Sequence, residues 1–208
     1  MTFPEKLTYC LNHPLPGMDA HLEMAPFYRR DEIHHHAQID HAVKSSVLIL
    51  FYIKDEQEHL VFIKRPEYEG VHSGQIALPG GRWEPHDKSY YDTALREAHE
   101  EIGIDTSRVS HLGKLSQLYI PPSNYLVYPF VAIYDGEARF DPDPDEVAAI
   151  LEIPFQFFLN SASAKTVELT LKNGLIIQTP CFDFQGNIIW GATAMMINEL
   201  IILWKTTG

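Results

Sequence analysis

The feature that most constrains this chain runs from residue 78 to residue 104. It reads LPGGRWEPHD, then KSYYDTAL, then REAHEEIGI. Two glycines follow an extended segment, a polar loop leads out of them, and a helical stretch ends in a burst of carboxylates. Gly103 stands where a helix stops, because glycine adopts left-handed backbone cheaply. Pro85 and Asp87 stand where a chain turns and caps the helix after it. At about 100° per residue, Tyr91, Ala94, Leu95, Ala98 and Ile102 share one arc and are expected to pack on a core. Glu97, Glu100 and Glu101 share another arc, an exposed face of the same helix. Three like charges on one face repel, and an ordinary surface dilutes them with lysines. A divalent cation turns that repulsion into attraction. Hard oxygen ligands on a rigid helix suit Mg²⁺ or Mn²⁺ rather than zinc or copper.

The whole-chain charge is strongly acidic, with 28 Asp and Glu against 16 Lys and Arg, a formal charge of −12. Nonspecific binding to nucleic acid or to an anionic membrane calls for basic patches, so neither is an expected partner. A small polyanion remains compatible, since a bound metal ion reverses the local sign. The two cysteines, Cys10 and Cys181, form no CxxC pair and read as reduced thiols in a cytoplasmic protein. The first ten residues, MTFPEKLTYC, have neither a basic nor an apolar leader region, and no apolar run reaches membrane-spanning length.

Taken in order, residues 1–41 mix helical and turn character around Pro14, Pro16, Gly17 and Pro26. They read as an N-terminal extension packed on a main domain of residues 42–208, with no chemistry assigned. His34-His35-His36 cannot all face one ion from regular backbone, so a solvated loop is expected there. Residues 46–53 and 60–64 are β-branched and aromatic, with a polar turn between them, and predict a hairpin. A short strand is expected at 75–78, and further strands at 112–120, 126–134 and 147–153, the last after an acidic, proline-broken loop at 140–146. Asn173-Gly174 between 166–171 and 175–179 is a strong hairpin signal. Residues 188–190 lead through Gly191 into an apolar helix over 192–204, with Trp190 expected to serve packing. Strands on both sides of a central helix, plus a terminal helix, give an α/β chain with a mixed sheet between helices.

Residues 96–104, REAHEEIGI, resemble the second half of a Nudix box, whose pattern is G-x5-E-x7-R-E-U-x-E-E-x-G-U with U bulky and apolar; Ala98 stands in for the first U. The first half departs from it. Five residues after Gly81 comes Asp87 where the pattern has glutamate, and eight residues rather than seven separate Asp87 from Arg96. That insertion is similar to the coenzyme A diphosphatase branch, which carries R-[SA]-x3-R-x3-G-x3-F-P-G-G upstream of the box. Here residues 65–81 read RPEYEGVHSGQIALPGG, with Arg65, Gly74, Pro79, Gly80 and Gly81 in register. Pro66, Gly70 and Leu78 replace the small residue, the second arginine and the phenylalanine. The stretch Trp190-Gly191-Ala192-Thr193 is similar to the branch as well. The resemblance covers about residues 42–205 and implies a Nudix-type α/β/α sandwich with a mixed β-sheet.

Hydrolysis of a phosphoanhydride needs an electrophilic phosphorus, an aimed water and a neutralised leaving phosphate. Glu97 and Glu101 lie one turn apart and are assigned as metal ligands. Glu100, at the edge of the same face, is a further ligand or a water-orienting base. Glu146 is a catalytic candidate from outside the box, in a loop resembling one that brings another carboxylate to the metal. Arg65, His72 and Arg82 are candidate phosphate contacts. Arg96 is expected to orient a box carboxylate, and a main-chain carbonyl of the Gly80-Gly81 turn to complete the metal shell. His99 points off the carboxylate face.

The resemblance therefore implies Mg²⁺- or Mn²⁺-dependent cleavage of a small diphosphate, coenzyme A or acyl-CoA, to 3′,5′-ADP and (acyl-)4′-phosphopantetheine. ADP-ribose or a nucleoside triphosphate is the alternative within the class. A non-catalytic Nudix-fold sensor of a nucleotide metabolite is the alternative outside it, and it would be favoured by a missing box carboxylate. The composition leaves a homodimer open.

Overall fold

The apolar run of residues 46–53 reads as a buried strand, and the computed structural model, which describes residues 1–29, 36–69, 72–171 and 174–207, sets it in a mixed sheet. Strand β1 (Val43–Lys54) sends Leu48, Leu50 and Tyr52 to one face and Ile49 and Phe51 to the other, and all five are buried. A strand covered on both faces belongs at the centre of a sheet. It pairs antiparallel with β2 (Gln57–Lys64) and parallel with β7 (Tyr125–Tyr134). The order continues outward to β3 (Ile76–Ala77) on one side and β5 (Val109–Lys114) on the other. Strand β4 (Gly80–Arg82) pairs with β1, β6 (Leu118–Ile120) with β7, and β8 (Ala149–Pro154) with β2. The expected strand over 112–120 is therefore two short ones, both laid on β7.

Helix α3 (Tyr90–Ile102) covers one face, burying Ala94, Ala98 and Ile102 against Leu48, Leu50 and Ile63. It ends at Gly103, whose φ of 68 is left-handed. The cap at its start differs from the expectation. Ser89, not Asp87, accepts the N–H of Asp92, leaving the Asp87 carboxylate available for Arg96. The other face is covered by α5 (Gly191–Thr207), α1 (Phe3–Leu11) and the short α4 (Phe155–Leu159), which meet Phe51, Phe62 and Val131. Helices on both faces of a mixed sheet make the α/β/α sandwich. A smaller sheet, β11 (Asn187–Trp190), β10 (Ile176–Phe184) and β9 (Ala164–Thr170), flanks α5. Its β9–β10 pairing brings Thr170 opposite Ile176; Lys172 and Asn173 of the expected turn lie outside the described residues, as do Gly70, His34, His35 and the side chain of His36.

The N-terminal segment is tied to α5 by buried polar groups. Glu199 on α5 accepts from Gly17 N–H (3.1 Å), from Ser116 N–H and from the buried His21 Nε2 (2.9 Å). Asn198 donates to Ala20 O in α2 (Met18–Met24) at 2.8 Å. Burial pushes the Glu199 carboxyl up, but the His21 and Ser116 hydrogen bonds outweigh it and hold it below its ordinary value. Both cysteines are free and buried. Among the described residues no helix is long and apolar enough to cross a membrane.

Candidate active site

The diglycine turn brings backbone hard against α3. Leu48 N–H donates to Pro79 O at 2.8 Å, and the register of β4 on β1 sets Ser46 opposite Gly81. A Cβ on Gly81 would stand 2.3 Å from Glu97 Oε2, so only glycine lets the strand pass this close to that carboxylate. Gly80, at φ +152, has its own reason to be glycine, since a Cβ there would meet Ser46 O at 2.2 Å. Its N–H donates to Glu101 Oε2 at 2.7 Å.

Glu101 is only 2% exposed, which corrects the expectation of an outward carboxylate. The wheel placed it correctly on the helix, but β4 and the 140–146 loop cover that arc. Burial pushes its carboxyl up to about 8, against the Gly80 N–H and the Arg65 guanidinium, which favour the charged form. Arg65 Nη2 stands 3.9 Å from Glu101 Oε1. Glu97 is likewise pushed up by burial, opposed by Arg96 and reinforced by the charges of Glu100 and Glu146. Two carboxylates are thus partly withdrawn from water with too little positive charge beside them.

Arg96 is the hub of the turn. It donates to Asp87 through Nε (3.0 Å) and Nη2 (3.1 Å), to Glu100 Oε2 (2.8 Å) and to Arg82 O (3.0 Å), and it pairs with Glu97 Oε1 at 2.9 Å. Asp87 also accepts from Thr93 Oγ1 and Glu84 N–H, both at 2.9 Å. The Arg96 hydrogen bonds hold the Asp87 carboxyl well below the usual carboxylate range, outweighing burial. Asp87, read from sequence as a cap at the position of the pattern's glutamate, is the buried counter-ion of Arg96.

A cavity of about 1410 Å³ opens above these groups. Glu97, Glu101, Glu146, Arg65, His72, Arg82, Gly80 and Gly81 all line it, so the structure gathers all but two of the candidates at one place. Glu100 is not in its wall. Its side chain is 51% exposed and turned toward Arg96, which separates it from Glu97 and Glu101. Arg96 lies behind the wall. His99 meets Ile104 O at 2.8 Å, away from the cavity. Glu146 arrives because its loop docks on the end of α3, with Asp141 N–H on Ile102 O and Asp143 N–H on Glu101 O. His72 Nδ1 lies 3.1 Å from Gln75 Oε1. Trp190, expected to serve packing, lines the cavity as well, and so does Tyr28, which carries no assignment in the sequence. The Trp190 match to the branch pattern was the available signal; Tyr28 had none.

Among the described residues no three His, Cys, Asp or Glu side chains stand together as a finished metal cage. The donor set nevertheless fits a hard divalent cation. Glu97 and Glu101 offer carboxylate oxygens from adjacent turns, Glu101 is buried beside one distant guanidinium, and the glycine backbone leaves room against Glu97.

A helix-borne carboxylate pair under a glycine turn, in an α/β/α sandwich, is an arrangement that suits metal-assisted hydrolysis of phosphoanhydride bonds. The comparisons name the class. The NUDIX domain model matches residues 44–167, more than half of the chain, and the chain belongs to the Nudix hydrolase family. A relative from Yersinia pestis (strain Pestoides F), called an uncharacterized Nudix hydrolase NudL, is 34% identical over 157 residues, covering 76% of this chain and 77% of that protein. Its namesake from Yersinia pseudotuberculosis serotype O:1b (strain IP 31758) matches to the same extent. Among solved structures, a NUDIX hydrolase from Alicyclobacillus acidocaldarius aligns with a TM-score of 0.48 at 16% identity, over 57% of this chain and 81% of that one. Nudix hydrolases generally use divalent metals such as Mg²⁺ or Mn²⁺ and act on small diphosphates.

Proposed function

We propose that this enzyme hydrolyses the diphosphate of coenzyme A or of an acyl-CoA, giving 3′,5′-ADP and (acyl-)4′-phosphopantetheine. The observation that carries the reading is the cavity, which Glu97 and Glu101 line and whose volume of about 1410 Å³ exceeds the roughly 300–1,000 Å³ of an ordinary small-ligand site. The insertion before Arg96 and the Arg65-to-Gly81 pattern support the same branch.

In this reading Glu97 and Glu101 would hold the divalent cation, with Glu146 as the third carboxylate from the loop. When bound, the cation neutralises phosphate charge and lowers the pKa of its water. Arg96 fixes the Glu97 carboxylate through its bond to Asp87, which keeps the guanidinium from swinging free. Arg65, His72 and Arg82 bind and orient the diphosphate oxygens from the cavity wall. Glu146, more exposed than Glu97 and Glu101, takes the proton of the attacking water. A water oxygen bonds to one phosphorus, the bridging P–O bond breaks, and each product keeps one phosphate. Glu100, the remaining expected ligand, stands outside the cavity wall and pairs with Arg96. The buried, unpaired thiols accord with a reducing compartment such as the cytoplasm.

The deciding experiment is a panel of coenzyme A, acyl-CoA, dephospho-coenzyme A, ADP-ribose and nucleoside triphosphates, assayed with Mg²⁺ and Mn²⁺ and read by mass spectrometry. The reading expects 3′,5′-ADP from coenzyme A. A preference of about tenfold in kcat/KM for ADP-ribose or dephospho-coenzyme A, about 1.4 kcal/mol of transition-state binding, overturns it.

A further inference from the structure

The charge of the cavity is unevenly shared among its walls. Its charged residues, Lys64, Arg65, Arg82, Glu97, Glu101 and Glu146 among them, come from β2, β4, α3 and the loops beside them. Every described wall residue drawn from β6, β7, β9, β11 and α5 is uncharged. Ile120, Leu169, Trp190 and Met196 supply apolar surface there, and Asn187 and Thr193 supply polar groups. Among the described residues these walls offer no charged partner, which favours a neutral group, because a charge placed there would lose water without compensation. The group is also sizeable, since about 1410 Å³ exceeds the roughly 300–1,000 Å³ of an ordinary small-ligand site.

Among the described residues, one wall residue comes from the segment that precedes the Nudix domain match at residues 44–167. Tyr28 sits in a 3-10 turn, Phe27–Arg29, that packs on β10, and its side chain lines the cavity while remaining 41% exposed. Its position is held from close by. Helix α2 ends at Met24, a span of backbone that reaches at most about 14 Å. That helix is fastened to α5 by the Gly17–Glu199, His21–Glu199 and Ala20–Asn198 hydrogen bonds. The N-terminal segment thus presents an aromatic ring to the cavity from a firm base. A tyrosine there offers a broad apolar face at the entropic cost of only two side-chain torsions, together with a hydroxyl for a polar chain.

We propose that Tyr28 is a specificity-determining residue, its ring packing against the neutral, extended group that the substrate carries beyond its diphosphate. The inference rests on the coenzyme A reading of the site, in which that group is the pantetheine chain. The contact is remote from the breaking bond and equal in ground and transition states, so it governs KM and leaves kcat alone.

The test compares the best substrate of the wild-type enzyme with an analogue that keeps its nucleotide and diphosphate but carries a methyl ester in place of the chain. Tyr28→Ala is expected to raise KM for the full substrate by about fivefold or more, with kcat within about twofold and KM for the analogue unchanged. Tyr28→Phe restores most of the loss. Phe27→Ala, which removes a neighbouring exposed ring outside the cavity wall, alters neither substrate. The inference is overturned if Tyr28→Ala leaves KM unchanged or raises it equally for both substrates, if Phe27→Ala has the same effect, or if the best substrate carries no neutral extended group. Failure of the coenzyme A reading alone shows separately, as a best substrate of another kind whose neutral group still feels Tyr28.

Discussion

Replacing Glu101 by glutamine is expected to make the metal-free protein more stable while destroying its activity. The Glu101 carboxyl is 2% exposed and held up at about 8, where an ordinary glutamate sits at 4.5. Each pH unit of that gap is worth about 1.4 kcal/mol, so at pH 8 and above the ionised carboxylate costs the metal-free fold roughly 3–5 kcal/mol. The sign follows from proton binding. Between the unfolded and folded pKa values the folded state holds more protons, so stability falls as pH rises through that window. Glutamine keeps an oxygen for the Gly80 N–H, which donates at 2.7 Å, and carries no charge. In a domain of this size about 1 kcal/mol moves the melting temperature by about 2–4 °C. Glu101→Gln in EDTA is therefore expected to melt above wild type by about 6–20 °C at pH 8 and by little at pH 4.5. Turnover at saturating Mg²⁺ is expected to fall at least about a hundredfold. An unchanged or lower melting temperature at pH 8 refutes the electrostatic argument, and near wild-type turnover refutes the ligand assignment.

Glu97→Gln is expected to lower turnover at least about a hundredfold while the circular dichroism spectrum is retained, and survival of activity at saturating Mg²⁺ removes Glu97 from the metal site. Gly81→Ala puts a Cβ 2.3 Å from Glu97 Oε2, so the carboxylate has to move; the expected loss is about tenfold or more in kcat, and unchanged kinetics would show that the close approach has no catalytic consequence. Glu199→Ala removes one partner of a buried pair and leaves the Gly17 and Ser116 N–H groups unsatisfied, which is expected to cost about 3–5 kcal/mol in urea unfolding at pH 7. Because the Glu199 carboxyl is held below its ordinary value, this stabilisation is present at neutral pH and is lost as pH falls through the folded value; a wild-type-minus-variant difference that grows in acid contradicts it. Trp190→Ala, at a residue in the cavity wall, is expected to raise KM more than it lowers the melting temperature.

What could be read along the chain was what local periodicity records. A run of β-branched and aromatic residues marked β1, whose Leu48, Leu50 and Tyr52 pack under α3 while Ile49 and Phe51 pack under α5 and α4. The wheel marked Ala94, Ala98 and Ile102 as core in the same way. It assigned Glu100 and Glu101 to a common arc, yet the structure separates them, one exposed beside Arg96 and one buried under the Gly80 N–H. Nothing in helical spacing distinguishes these neighbours. The distinction is made by β4, which lies on β1 and crosses only one edge of α3, and by a loop whose Asp143 N–H reaches Glu101 O. Asp87 shows the same limit, since a carboxylate ahead of a helix reads as a cap until Arg96, nine positions on, claims it. Tyr28 lies furthest from what local patterns record. Its place in the cavity depends on Glu199, 182 residues from Gly17, accepting hydrogen bonds from the start of α2. A buried glutamate in an apolar helix reads as an anomaly in sequence, and such an anomaly marks where a distant segment docks. Here that segment brings Tyr28 to the wall of the cavity that Glu97 and Glu101 also line.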